Sequence, residues 1–233
     1  MKRILIISAF LPLSAFAMEM PSKKQKLEKK VQAKSIADLS QQLIKERRKN
    51  NILNLSGLGL TSLDALSWVP ELHTITELNL SHNHLTWIPN NAFAGMTKLQ
   101  TLLLSDNQII IVDPLAFQGL PNLILIDLDK NKLQKITVQF AHLKNLTHLF
   151  LEDNNISFIA PYAFRDLTQL TKLLLGFNNL ASIDPKALID IEQSQPGLVN
   201  LHILNLEKNP LVKNPQETEK ITATLPYTTV LFD

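Results

Sequence analysis

The sequence contains no cysteine among its 233 residues. This absence excludes disulfide bonds, metal sites built from thiolates and catalysis by a cysteine nucleophile. Glycine is also scarce, with six residues, and the sequence carries no phosphate-binding loop, glycine-rich nucleotide fingerprint or Ser-His-Asp frame. We therefore predict that the protein is not an enzyme and that it uses no cofactor and no metal.

Long hydrophobic runs are also missing. The N-terminal apolar run from Ile4 to Phe16 contains Pro12 and is too short to span a bilayer stably. Two basic residues precede this run, and Ala15-Phe16-Ala17 has the small-x-small pattern of a signal-peptidase site. Residues 1–17 are predicted to be a signal peptide for export to the periplasm or the extracellular space. The alternative interpretation is a buried N-terminal helix.

Charge is distributed unevenly along the chain. The net charge is +2, but residues 20–49 hold ten basic and three acidic side chains, and residues 50–233 have a net charge of −6. Residues 18–34 are predicted to be a basic, disordered linker because they carry almost no apolar side chains. The lysines of this linker are interpreted as a solvated arm, and one alternative is that they form a nuclear localisation signal. The basic 23–49 segment also suggests a function of its own. Through it, the chain could act as an envelope-associated protein that binds anionic lipid or polymer.

An amphipathic helix is predicted at residues 35–49. Ser35 and Asp38 form a capping pair, and four apolar residues share one face: Ile36, Leu39, Leu43 and Ile44. A repeat structure exposes the apolar end of its first unit, and a helix of this kind can cover that end. We interpret it as an N-terminal capping helix.

Most of the remaining sequence repeats one frame, L/I-x-x-L/I-x-L-x-x-N-x-L/I, with small departures. The asparagine at its ninth position recurs at intervals of 24, 24, 23, 24 and 31 residues, at Asn83, Asn107, Asn131, Asn154, Asn178 and Asn209. Counted from the first position of the frame, seven repeats begin at Asn50, Ile75, Leu99, Leu123, Leu146, Leu170 and Leu201. A period of this length indicates a solenoid of stacked units.

The frame resembles that of the leucine-rich repeat family, in its 24-residue class, over residues 50–212. The resemblance implies an α/β solenoid with a curved parallel sheet on its concave face and short helices or extended segments on its convex side. Side chains alternate in a strand, so the leucines at positions four and six face the core together. The asparagines are predicted to satisfy backbone groups between turns and to be structural. Phenylalanines ten residues or so further on, such as Phe93 and Phe117, are predicted to fill the convex core.

The C-terminal part departs from the regular period. Residues 185–194 are predicted to form a longer convex helix, and residues 213–233 a C-terminal cap with a helix over 216–225 and a strand over 230–232. This cap lacks the cysteines found in many extracellular animal members of the family. The absence favours an exported bacterial protein.

The candidate binding site lies on the predicted concave face, at the variable positions between the leucines. Four hydrophobic residues with no expected neighbour but solvent fall there, at Leu103, Leu125, Phe150 and Leu174, with Phe177 beside them. Acidic residues border them at Asp127, Asp129, Glu152 and Asp153. An apolar centre with a charged border is typical of a protein interface. The alternative is that these hydrophobic side chains are merely tolerated or are covered by a cap.

The sequence therefore predicts a non-enzymatic module that binds a protein or peptide partner on its concave face. We expect a monomer without a transmembrane span and without a nucleic-acid ligand. His82 and His84 are the strongest candidate metal ligands in the chain. They flank a ladder asparagine and should point away from each other, and imidazole ligands must converge on a metal.

Overall fold

The computed structural model describes residues 43–140, 142–188 and 198–233. The predicted signal peptide at 1–17, the linker at 18–34 and the first part of the capping helix lie outside the described residues. The structure therefore bears on the repeats and on the segments that flank them.

A curved sheet of nine strands runs through the described residues, in the order β1-β2-β3-β5-β7-β9-β11-β12-β13. Its strands are β1 (Arg48–Lys49), β2 (Ile52–Asn54), β3 (Glu77–Asn79), β5 (Thr101–Leu103), β7 (Leu125–Asp127), β9 (His148–Phe150), β11 (Lys172–Leu174), β12 (Ile203–Asn205) and β13 (Thr229–Leu231). All neighbours pair in parallel except β1 and β2. From β2 to β12 in this order, each of the seven repeats contributes one strand to the sheet, so the predicted parallel sheet is confirmed.

Each of these strands spans positions three to five of its repeat. In β5 the middle residue, Leu102, is fully buried, while Thr101 and Leu103 are half-buried on the other face of the sheet. The same pattern recurs in β3, β7, β9 and β11 because side chains alternate along a strand. Positions three and five therefore form the concave surface, and position four begins the core.

Shorter strands follow the turns of repeats two to five. Among the described residues, β4 (Trp87–Ile88) pairs with β6 (Ile111–Val112), and β8 (Lys135–Ile136) pairs with β10 (Phe158–Ile159), in both cases in parallel. The second residue of each strand is buried and the first is exposed. This alternation turns one row of side chains into the core and the neighbouring row outward.

The predicted phenylalanine column lies in the core. Phe93, Phe117 and Phe140 are buried and their rings stack, with centroids 6.0 Å apart for the first pair and 5.7 Å for the second. Phe164 and Leu188 are buried at the corresponding places in the next two repeats. Burial of large rings contributes strongly to stability, so this column holds the convex side against the sheet.

The asparagine ladder connects neighbouring turns as the frame predicts. The Nδ2 group of Asn131 donates to the carbonyl oxygens of Leu104, Leu128 and Asp129, and its Oδ1 accepts from the N–H of Ile109. Equivalent bonds are made by the other five members, Asn83, Asn107, Asn154, Asn178 and Asn209. All six are buried, and each satisfies backbone groups that no strand pairs.

The residue before each of these asparagines has a positive φ angle. The left-handed positions are His82, Asp106, Lys130, Asp153, Phe177 and Lys208, with φ between 51° and 57°. In the first repeat Gly57 occupies this place, with φ of 66°. The chain needs this conformation to leave the strand, and non-glycine residues adopt it only at a cost.

The N-terminal cap differs from its prediction at one end. Residues 43–47 are helical (α1) and Ile44 is buried against the core, but the helix predicted to reach Lys49 ends at residue 47. Arg48 and Lys49 instead form β1, antiparallel to β2. The unpaired edge of the first repeat offers hydrogen-bond partners that a helix would leave unsatisfied, and this explains the switch.

The C-terminal cap contains a short 3-10 helix at Pro210–Lys213, an α-helix at Pro215–Thr224 (α2) and β13. The side chain of Asn214 accepts from the N–H of Gln216 and begins α2. Strand β13 pairs with β12 and extends the main sheet by one strand. Further 3-10 helices occur at Asp64–Trp68, Leu72–Thr74 and Pro185–Ala187. Residues 189–197, which hold most of the longer convex helix predicted over 185–194, lie outside the described residues.

Candidate functional site

The concave face brings together four of the predicted hydrophobic residues. Leu103, Phe150 and Leu174 occupy position five of their strands, and Leu125 occupies position three of β7. The register places Phe150 directly beside Leu174, while Asp127 separates Phe150 from Leu103 on the other side. Leu125 lies in the neighbouring column of position three, between Thr101 and His148.

Solvent is not the only neighbour of these side chains, contrary to the expectation from the frame. All four hydrophobic residues are half-buried. The ring of Phe150 meets the ring of His148 edge to face, with centroids 5.9 Å apart, and Lys172 Nζ lies 5.6 Å from its centre. His148 lies two residues before Phe150 on the same strand, whereas Lys172 reaches the ring from position three of the adjacent strand β11, and the repeat frame specifies neither contact.

Phe177 lies apart from this row. It occupies the left-handed position of the turn after β11, its N–H donates to the carbonyl of Glu207, and its side chain is 48% exposed. It is the most exposed of the five predicted hydrophobic residues. The turn holds Phe177 at the rim of the concave face.

Acidic and amide side chains form a connected chain along the same rim. Asp127 Oδ1 accepts from the N–H of Asp129, and Asp129 Oδ1 accepts from the N–H of Glu152 at 2.7 Å. Glu152 Oε1 accepts from Asn205 Nδ2 at 2.7 Å, and Asn205 Oδ1 accepts from the N–H of Glu207. These bonds fix the acidic residues relative to the hydrophobic row across repeats four to seven.

Burial makes two of these carboxyl groups weaker acids than usual. The pKa of Asp129 is raised to about 7, chiefly by burial; the hydrogen bond from the N–H of Glu152 opposes this rise, and the negative charges of Asp127, Glu152 and Asp153 contribute to it. The pKa of Glu152 is also raised by burial, and the hydrogen bond from Asn205 opposes this shift. The rim therefore holds closely spaced carboxyl groups whose ionised forms a cationic group from a partner would stabilise.

Gly176 makes room for the bond between Glu152 and Asn205. It lies in the repeat between theirs, and a Cβ atom placed on it would stand 3.1 Å from Glu152 Oε1 and 3.2 Å from Asn205 Nδ2. A larger residue would push these two side chains apart. Gly176 therefore lets a side-chain hydrogen bond pass over a whole repeat.

The two histidines beside the first ladder asparagine turn to different partners. His82 Nδ1 contacts Asp106 Oδ2, and His84 Nδ1 lies 3.5 Å from Gln108 Nε2. Within the described part of the chain, no group of three or more His, Cys, Asp or Glu residues has an arrangement that could hold a metal ion. Each histidine contacts the next repeat and does not converge with the other.

One residue of the basic 23–49 segment is used inside the fold. Arg48 donates to the carbonyl oxygen of Pro70 at 2.8 Å and to Thr74 Oγ1, and its guanidinium lies 3.6 Å from Glu71 Oε2. These contacts fasten β1 to the first repeat. Residues 23–42 lie outside the described residues. No helix in the part of the chain that the structure describes is long and apolar enough to cross a membrane.

Sequence reasoning missed three residues that shape this face: His148, Lys172 and Asn205. The first two occupy position three of β9 and β11, and Asn205 occupies position five of β12. Their positions in the frame place them on the concave surface, and this was the signal from which the sequence could have identified them. Their contacts with Phe150 and Glu152 depend on side-chain conformations that the frame does not specify.

Stacked leucine-rich strands joined by a buried asparagine ladder define the class of leucine-rich repeat solenoids. The leucine rich repeat family model matches residues 48–109, 110–156, 126–180 and 144–211, which is more than half of the chain. The protein therefore belongs to the leucine-rich repeat family.

Similar proteins come from several functional settings. Pig fibromodulin is 38% identical over 87 residues, which cover 37% of this chain and 57% of fibromodulin. Rat leucine-rich repeat-containing G-protein coupled receptor 5 is 35% identical over 119 residues, which cover 51% of this chain and 13% of the receptor. The chain therefore spans less than two thirds of either relative, and their similarity supports the fold over part of their length.

Solved structures show the same architecture. The complex of TLR13 with ssRNA13 matches with a TM-score of 0.61 and 31% identity, over 70% of this chain and 22% of that one. A leucine-rich repeat protein of Leptospira interrogans matches with a TM-score of 0.59 and 30% identity, over 68% of this chain and 37% of that one. Proteins of this class are commonly interaction modules and are generally not enzymes.

Proposed function

We propose that the concave face binds a protein or peptide partner at the row formed by Leu103, Leu125, Phe150 and Leu174. The observation that carries this proposal is the position of Phe150 and Leu174 beside each other on the open face of the sheet. Half-buried apolar groups of this kind gain free energy when a partner removes their remaining surface from water. The preorganised sheet loses little conformational freedom on binding.

The partner's chemistry follows from the rim. Asp129 and Glu152 are held close to other acids, and the pKa of each is raised. A basic side chain from the partner would lower the repulsion among these groups while its apolar neighbours contact Phe150. Phosphate groups would increase the repulsion. We therefore propose a protein or peptide and not a nucleic acid, although the similar TLR13 structure is a complex with ssRNA13.

The test replaces Phe150 and Leu174 together with glutamate. Proteins bound by the immobilised full chain and by this variant are identified and quantified, and the dissociation constant of each candidate is then measured. We expect roughly a 100-fold or greater loss of affinity, since burying each side chain contributes about 1.5–3 kcal/mol. The matched control is Ile52→Glu, an exposed position on the same face of β2. Equal affinity for the folded double variant and the native chain would refute the proposal.

Salt dependence separates this function from the alternative of anionic lipid or polymer binding through residues 23–49. Binding through that segment would weaken steeply as salt rises and would be lost on deletion of residues 22–34. Binding at Phe150 and Leu174 would survive that deletion and would weaken far less steeply with salt, because apolar burial contributes most of it. The engagement of Arg48 in the N-terminal cap removes one cation from the alternative site.

We also propose that residues 1–17 direct export and are removed, so that the protein acts in the periplasm or the extracellular space. The proposal rests on Lys2 and Arg3, the apolar run and the Ala15-Phe16-Ala17 pattern. Mass spectrometry of the protein purified from its native source should show a new N-terminus after Ala17. Recovery of the chain with Met1 in place would contradict this proposal.

A further inference from the structure

The concave face is acidic around the adjacent residues Phe150 and Leu174. Counted over positions three, five and seven of all seven repeats, it carries one lysine, Lys172, and five acidic residues: Glu77, Asp127, Asp129, Glu152 and Glu207. Hydrogen bonds fix the side chains of Asp127, Asp129 and Glu152, and the register places Asp127 directly beside Phe150. A segment that docks on Phe150 and Leu174 would meet these carboxyl groups, so basic side chains beside its apolar ones would favour it.

The same chain contains a segment of opposite charge at residues 22–34, which lie outside the described residues. Its sequence, SKKQKLEKKVQAK, holds six lysines and one glutamate. Its two large apolar residues, Leu27 and Val31, are four positions apart, and lysines lie within two residues of each. Two apolar side chains among lysines therefore match two apolar side chains among carboxyl groups.

The length of chain before the described residues is sufficient for this segment to reach the concave face. Strand β9, which carries Phe150, lies five strand spacings from β1, or about 24 Å. The description begins at Leu43, and the chain between Leu27 and Leu43 spans about 50 Å when fully extended. If residues 35–42 continue α1, as the sequence predicts, the same stretch still spans about 38 Å. The segment can therefore reach Phe150 within its own chain.

Attachment to the same chain favours this segment over a separate peptide of equal affinity. A segment joined by a short linker acts at an effective concentration on the order of 1 mM. At that concentration a dissociation constant of about 0.1 mM gives roughly 90% occupancy. A weak contact, assisted by opposite charge, is therefore enough to keep the face covered.

We propose that residues 22–34 occupy the concave face of their own chain, with Leu27 and Val31 against Phe150 and Leu174 and the lysines toward the acidic rim. An external partner must displace this segment, and its apparent affinity is about tenfold weaker for that reason. The site is that of the proposed function, and this weakening rests on that function. Occupancy by the segment itself needs no external partner.

The absence of cysteine allows a single nitroxide label to be attached to the segment, at Gln25→Cys of the full chain. We expect the label to broaden the amide resonances of β9 and β11 at least fivefold more than those of β2, although β2 lies nearer to the N-terminal cap. Broadening that is greatest at β2 would overturn the proposal. Equal broadening of isotope-labelled chains by separate spin-labelled chains would overturn the same-chain arrangement.

A second test measures how tightly a free peptide with the sequence of residues 22–34 binds the full chain. A variant with a weakened segment carries four substitutions: Lys23→Gln, Lys26→Gln, Lys29→Gln and Lys30→Gln. It should bind the peptide with a dissociation constant of about 0.1 mM, and the native chain should bind about tenfold more weakly because its own segment covers the face. The matched control, which should behave like the native chain, changes four exposed lysines elsewhere: Lys98→Gln, Lys144→Gln, Lys186→Gln and Lys213→Gln.

Equal peptide affinity of the weakened-segment variant and the native chain would overturn occupancy by the segment. Addition of Asp129→Asn and Glu152→Gln to the weakened-segment variant should lower its affinity for the peptide at least fivefold. An unchanged affinity would overturn the contact with the acidic rim. Neither test involves an external partner, so their failure is distinct from failure of the proposed function, which the Phe150 and Leu174 variant decides.

Discussion

At the scale of single residues, a ladder asparagine and its immediate neighbour have opposite roles although they are chemically identical. The amide of Asn154 is buried and donates to the carbonyl oxygens of Leu128, Leu151 and Glu152, while Asn155 is exposed. The Oδ1 of Asn154 also accepts from the N–H of Leu133. The turn of the frame places one amide inside the solenoid and the next one in solvent.

This difference gives a matched pair of variants. Asn154→Ala should lower the free energy of unfolding by about 2–4 kcal/mol, because several buried backbone groups lose their partner. Asn155→Ala should change it by about 0.5 kcal/mol or less, as is usual for an exposed position. Urea unfolding followed by circular dichroism measures both. Similar destabilisation by the two changes would contradict a structural role for the ladder.

Asp129 makes stability depend on pH. Its pKa is about 7 in the folded protein, compared with the ordinary value of 3.8 for an aspartate side chain. Between pH 3.8 and pH 7 the folded chain therefore holds a proton that the unfolded chain releases. This contribution is fully present below the ordinary pKa and is lost as pH rises toward 7. The melting temperature should therefore fall from about pH 4 to pH 7 on account of Asp129 and, in the same direction, of Glu152.

Replacement by asparagine tests this assignment. Asp129→Asn keeps an oxygen that accepts from the N–H of Glu152 and removes the ionisation. At pH 8 we expect this variant to be more stable than the native chain by on the order of 1 kcal/mol, since solvent screens part of the effect. At pH 4 the two should be nearly equal. Glu219→Gln, at an exposed position of α2, is the control. A pH profile identical to that of the native chain would count against Asp129 as the source.

At the scale of elements, stacked rings support the convex side. Phe117 lies between Phe93 and Phe140 and stacks on a ring on each side. Its removal would leave a cavity that these two neighbours can fill only in part. Phe117→Ala should cost about 3–5 kcal/mol, the range for removal of a buried ring. The same substitution at exposed Phe177 should cost far less. Chemical unfolding compares the two, and equal losses would show that the stack adds nothing to the core.

At the scale of the whole molecule, stability depends mainly on contacts between adjacent repeats, and the Glu152–Asn205 hydrogen bond is an exception that passes over one repeat. Arg48 joins β1 to the first repeat through Pro70, Glu71 and Thr74. Arg48→Ala should therefore reduce amide hydrogen-exchange protection at least tenfold in β2, with little effect in β11. Lys45→Ala, at an exposed position of the capping segment, serves as the control. Uniform loss of protection along the solenoid would contradict this view.

The frame predicted the fold because equivalent residues in adjacent repeats meet each other. A leucine at position four or an asparagine at position nine finds the same neighbours in every turn, so their roles follow from spacing alone. The end of the N-terminal helix was predicted wrongly because Arg48 and Lys49 have no equivalent in a neighbouring repeat. Their conformation depends on the open edge of the first strand.

The sequence by itself determined the solenoid, its parallel sheet, its buried ladder and the set of residues on the concave face. Only the tertiary structure decided which of these residues touch each other: Phe150 with His148 and Lys172, and Glu152 with Asn205 across Gly176. It also showed that the side chains of Trp87 and Phe158 are exposed. The physical reason is that the repeat sets backbone position and side-chain direction, whereas side-chain contacts depend on conformation, strand spacing and charge across several repeats at once.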